Sequence, residues 1–90
     1  MTTDPKPRPR PGFTHRDLGD ELLFLGAEGD TIHVLNDVAR AIYLLCDGTR
    51  GVAEIAGALC TEYDVAPAVA AADVARTLDD LRRAGLVTLD

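Results

Sequence analysis

Residues 31–48 read TIHVLNDVARAIYLLCDG, and a change of period inside this stretch decides the fold. Up to Leu35, β-branched and polar residues alternate with a period of two, the pattern of a strand. From Asn36 onward, Val38, Ile42, Leu45 and Cys46 recur at the spacing of one helix face. Asn36 is a good N-cap, Asp37 complements the helix dipole in the first turn, and Gly48 is a stop signal. Extended pieces lie before this junction and helical ones after it.

Upstream, Leu22-Leu23-Phe24-Leu25 is a short continuous apolar run, and Ala27-Glu28-Gly29-Asp30 supplies turn chemistry between it and the 31–35 strand. The pair reads as a hairpin, with Gly29 in a left-handed position to fix the register. Phe13 to Leu18 forms a first strand, weakened by Gly12, Asp17 and Gly19. Alternation places Ile32 and Val34 on one apolar sheet face and turns His33 outward.

Downstream, Val52, Ile55, Ala56, Leu59 and Tyr63 mark a second helix, with Glu54 placed to reach back to Gly51 as its N3 partner. A third helix starts near Pro67, where the missing N–H costs nothing, and runs to about Arg83. Its apolar stripe is Val74, Leu78 and Leu81, and Gly85 ends it before Leu86-Val87 return to the core. Ala70, Ala71, Ala75, Thr77 and Ala84 flank the stripe. Such small residues either raise helix propensity or leave room for something to lie beside the helix. The expected architecture is α+β: a three-stranded antiparallel meander followed by a three-helix bundle, similar to a winged helix with the sheet placed first.

Ninety residues and 9.6 kDa allow one small domain. With 47% apolar, 27% charged and 4% aromatic residues and no Trp, the chain is globular with an aliphatic core. Residues 1–11, MTTDPKPRPRP, hold four of the five prolines and carry +2, so the rest carries −8 of the net −6. The Pro/Arg-rich segment 1–11 reads as a disordered, solvated tail, with a proline-rich docking ligand as the sharper alternative, and residues 12–90 as the folded domain. A folded unit this acidic is a poor match for nucleic acid, whose affinity comes from Lys and Arg on phosphates. No apolar run is long enough for a membrane span and no secretory signal is visible, which points to the cytoplasm.

Chemistry by the chain itself finds little support. Cys46 and Cys60 lie fourteen positions apart, and His15 and His33 stand isolated, so no metal or cofactor site is expected. Asp79 and Asp80 point about 100° apart on a helix rather than converging. What remains is an open sheet edge: if the 31–35 strand lies outermost, it is a template for an incoming extended peptide.

The string Leu35-Asn36, Ala39, Ile42, Leu45-Cys46-Asp47-Gly48-Thr49, Glu54-Ile55, Tyr63, Asp73-Val74, Leu78, Leu81 and Gly85-Leu86-Val87 resembles the PqqD family, over about Phe13 to Val87. Gly51 and Ala66 depart from that family's usual helix caps. The resemblance implies three strands then three helices, no catalysis, and binding of the leader of a ribosomally made, post-translationally modified precursor peptide. It implies delivery of that peptide to a modifying enzyme, often a radical S-adenosylmethionine protein. The family's cleft lies between the third strand and the third helix, which implicates Thr31, Ile32, His33, Val34 and Leu35 with Val74, Thr77, Leu78 and Leu81. A winged-helix DNA-binding regulator is the alternative, with the third helix as reader, although Arg76, Arg82 and Arg83 are offset there by Asp73, Asp79 and Asp80. A third reading is an adaptor that binds only its enzyme through the acidic surface.

Overall fold

The computed structural model describes residues 6–26 and 32–89, and it turns from sheet to helix at the junction the period change marks. Strands β2 (Phe13–Asp17), β3 (Leu22–Gly26) and β4 (Ile32–Leu35) form an antiparallel sheet in the order β2-β3-β4. Helices α1 (Asp37–Leu44), α2 (Val52–Tyr63) and α3 (Pro67–Arg83) follow. The α+β architecture of a three-stranded meander and three helices is therefore present. The hairpin turn expected at Gly29 lies outside the described residues.

Local chemistry sets each boundary. The Asn36 side chain accepts from the Ala39 N–H at 2.9 Å, satisfying an otherwise orphaned donor at the start of α1. Gly51 has no capping side chain, yet the Glu54 carboxylate accepts its N–H at 3.1 Å, as the spacing anticipates. Helix α3 ends on Gly85, whose φ of +80° suits a residue without a Cβ. Gly85 N–H donates to Arg82 O and Leu86 N–H to Leu81 O, closing the last turn and dropping Leu86 into the core. Helix α1 stops at Leu44, four residues before the expected stop at Gly48.

Gly48 has another role, and it corrects the reading of the N-terminal segment. Pro7–Pro9 form β1, paired antiparallel with β5 (Val87–Leu89) in a separate two-stranded ribbon. Pro7 is fully buried, its carbonyl accepts the Gly48 N–H at 3.0 Å, and Arg10 N–H donates to Leu86 O at 3.0 Å. The extended geometry favoured by proline is close to that of a strand, so a segment poor in donors can still pair where its carbonyls are used. Gly48 sits at φ +84° with the Arg8 side chain 3.5 Å from where a Cβ would be. Residues 7–9 thus belong to the folded unit rather than to a solvated tail. Deleting residues 1–9 is expected to lower the unfolding free energy by about 2 kcal/mol in a urea titration. A merely solvated segment would leave it within about 0.5 kcal/mol.

The core is aliphatic with one aromatic centre. Leu22 and Phe24 from the sheet, Ile42 and Cys46 from α1, Ile55 and Leu59 from α2, and Ala70, Val74, Leu78 and Leu81 from α3 are all buried, with Leu86 and Val87 sealing the base. Phe24 packs edge-on against Tyr43 at 4.9 Å and Phe13 at 6.3 Å, with His15 at 5.5 Å. At the far end of the sheet, Asp17 on β2 takes a bidentate pair from Arg40 on α1 at 2.8 and 2.7 Å and accepts the Gly19 N–H at 2.9 Å.

That pair gives an acid dependence. The Arg40 guanidinium, and then the Gly19 N–H, hold the Asp17 carboxyl down from 3.8 to about 2. A carboxyl lowered on folding stabilises the folded state above its unfolded pKa and loses that contribution as pH falls through its folded value. Stability is therefore expected to fall between about pH 4 and pH 2, and Asp17→Asn should flatten this part of the profile in urea titrations stepped through that range.

Candidate peptide-binding groove

The sheet order leaves β4 at an edge, and α3 runs beside that edge without covering it. Between them lies a groove of about 490 Å³. His33, Val34 and Leu35 form one wall, Asp73, Arg76, Thr77, Asp80, Leu81 and Ala84 on α3 form the other, and Asn36, Val38 and Ala39 at the start of α1 close it. The one-residue link at Asn36 brings α1 against the groove, because the chain has no length to move away before the helix begins.

The β4 strand faces the opposite way from the sequence reading. The register pairs Phe24 with His33 and Leu22 with Leu35, so His33 and Leu35 share the core side of the sheet with Phe24 and Leu22. His33 is half-buried with its ring 5.9 Å from Phe13, whereas Ile32 and Val34 are 63% and 54% exposed. With a side-chain period of two, burying Leu35 turns Val34 and Ile32 outward. They join Leu23 and Leu25 on an uncovered outer sheet face.

Of the residues implicated on the strand, His33, Val34 and Leu35 line the groove, Ile32 stands exposed beside them on the same edge strand, and Thr31 lies outside the described residues. On the helix, Thr77 and Leu81 line the groove. Val74 is fully buried in the core and is absent from the lining, while Leu78 faces a separate cleft of about 360 Å³ with Val52 and Leu89. The sequence reading missed Asp73, Arg76, Asp80 and Ala84. Their spacing from Thr77 and Leu81 is helical, so a search for the shoulder of the apolar stripe would have found them.

The groove's lining mixes apolar and charged side chains. Apolar Leu35, Val38, Leu81 and Ala84 are bordered by the Asp73–Arg76 pair at 2.9 Å and by Asp80. Asp79 points away into the other cleft, where it pairs with Arg82 at 2.9 Å and Arg83 at 3.1 Å. Cys46 lies in the core, donates to Ile42 O, and has its thiol pushed up to about 12 by burial, far from the thiolate form a nucleophile needs. Among the described residues, no three metal-binding side chains come together, and no helix is long and apolar enough to cross a membrane.

A small α+β domain with an open strand edge beside a helix, and a groove between them, is the class these features define. Over residues 21–87 the chain matches the family described as coenzyme PQQ synthesis protein D (PqqD), and it belongs to that family. Two solved structures share the fold. One is TbiB1 in complex with the TbiA(beta) leader peptide, at 24% identity and a TM-score of 0.78 over 89% of this chain and 93% of that one. The other is lasso peptide synthetase B1 complexed with the leader peptide, at 24% identity and a TM-score of 0.79 over 92% and 98% of the two chains. Among curated proteins, none matches the chain by sequence.

Proposed function

We propose that this chain is a non-catalytic recognition module that binds the leader segment of a ribosomally made precursor peptide and presents it to a modifying enzyme. The observation that carries the reading is the open β4 edge facing a partly apolar groove of about 490 Å³. An extended peptide laid along β4 gains main-chain hydrogen bonds from the strand edge, and its alternate side chains enter the groove against Thr77 and Leu81. Membership of the PqqD family, and the leader peptides bound to the two proteins of like fold, support it. In this reading the enzyme is of the radical S-adenosylmethionine type, as the family resemblance implies, and the acidic surface of the folded part favours a basic face on it.

Calorimetric titration with the leader of a precursor encoded beside this gene tests the binding. Saturable heat is expected, and a flat titration would count against the reading. Co-purification of this chain with a radical S-adenosylmethionine enzyme encoded beside its gene tests the partner; an enzyme that never co-elutes, with or without peptide, would exclude it. The DNA-binding alternative gains nothing from α3, where Arg76, Arg82 and Arg83 are all tied to aspartates.

A further inference from the structure

The groove carries an uneven charge. Asp73 and Arg76 neutralise one another, and Asp80 is exposed on the same wall with no ion pair among the described residues. Asp80 lies near the C-terminal end of α3, where the helix dipole adds partial negative charge. The basic residues of that last turn do not offset it on this side, because Arg82 and Arg83 are held by Asp79 on the opposite shoulder. The other helix end at the groove is the N-terminus of α1. Its positive potential is already answered by the Asn36 side chain on Ala39 N–H and the Asp37 carboxylate on Val38 N–H. A negative spot therefore sits at the edge of apolar walls.

Resting on the peptide-binding reading, we infer that the groove selects an extended peptide carrying a lysine or arginine that pairs with Asp80, at a fixed spacing from an apolar side chain set against Leu81. Asp80 is then a specificity-determining residue. A long basic side chain suits the geometry, because its methylene stem can lie along Thr77 and Ala84 while its charge stays at the solvent edge beside the carboxylate. Exposed ion pairs are individually weak, so the effect is one of selection between peptides rather than of binding outright.

Panning a phage-displayed random peptide library on the full chain, with counter-selection on Thr77→Arg to retain only groove binders, tests this. The expected groove-specific peptides share Lys or Arg at one position, and panning on Asp80→Lys should replace it with Asp or Glu. For a synthetic peptide drawn from the pool, Lys→Glu should weaken binding about tenfold, and Asp80→Lys should restore it. Asp80→Asn, at an exposed and unpaired position, should leave the thermal midpoint unchanged. Groove-specific peptides with a shared apolar residue and no charge preference, or with Lys or Arg retained on Asp80→Lys, would overturn the inference while leaving the groove reading intact. A library that yields no groove-specific peptide would overturn both.

Discussion

Thr77→Arg is expected to reduce leader-peptide affinity at least about thirtyfold while the chain stays folded, because a side chain at the centre of a binding groove acts as a hot spot of about 2 kcal/mol or more. Thr77 is half-buried on the groove wall of α3, whereas Val74, Leu78 and Leu81 on the same helix are buried in the core. Arginine is also a better helix former than threonine, so the substitution fills the groove without weakening the helix that bears it. Leu81 would be a poorer choice. At 2% exposed it belongs to the core as much as to the groove, and a charge placed there would unfold the domain and remove binding for the wrong reason. Arg10→Ala, on the far ribbon, should bind as the parent does. The check is calorimetric affinity beside a far-ultraviolet melting curve, and a Thr77→Arg protein that binds as tightly as the parent would move the site elsewhere.

Phe24→Ala is expected to cost about 3–5 kcal/mol, the range for removing a buried aromatic ring. A domain of this length has a total stability of only about 5–13 kcal/mol. The ring is 1% exposed and stands between Phe13, His15 and Tyr43, so its loss empties the junction between sheet and α1. Leu25→Ala, at the next position on the same strand but 40% exposed, should cost under about 1 kcal/mol. Urea titration of the pair tests the face assignment of the whole sheet, since a slip by one residue would reverse which substitution is severe.

The parts of this fold legible in the sequence are those where one residue type answers one local need. Asn36 at the strand-to-helix junction, Glu54 three residues after Gly51, Pro67 at a helix start and Gly85 at a helix end each act as their chemistry foretells. The N-terminal strand was hidden because a donor-poor, proline-rich segment reads as an extended solvated tail. Its pairing depends on β5, about eighty residues away, with the Pro7 carbonyl and the Arg10 N–H both finding partners outside the segment. The face of β4 was hidden because alternation defines two faces without saying which one meets the core. In a four-residue strand with Ile32 and Val34 on one side and only Leu35 apolar on the other, hydrophobicity alone points the wrong way. The choice falls to the partner strand, where Leu22 and Phe24 occupy the same side as Leu35.

The groove was half legible for a related reason. The family resemblance implicates Val74 and Leu78, yet they belong to the apolar stripe, the side of the helix that packs, and are buried away from the groove. The groove side of α3 is its shoulder, where Asp73, Thr77, Asp80 and Ala84 recur at helical spacing with a polar character that ordinarily marks solvent. Only the position of the β4 edge beside that shoulder sets this groove wall apart from an ordinary wet face.

The most direct measurement is an isotope-edited NMR experiment on the labelled chain with the unlabelled leader of a precursor encoded beside this gene. Cross-strand contacts are expected between the peptide backbone and Ile32 to Leu35, with peptide side chains against Thr77 and Leu81. Saturable binding whose contacts leave the β4 edge and Thr77 untouched and fall instead on the β1–β5 ribbon or the second cleft beside Leu78 would contradict the account.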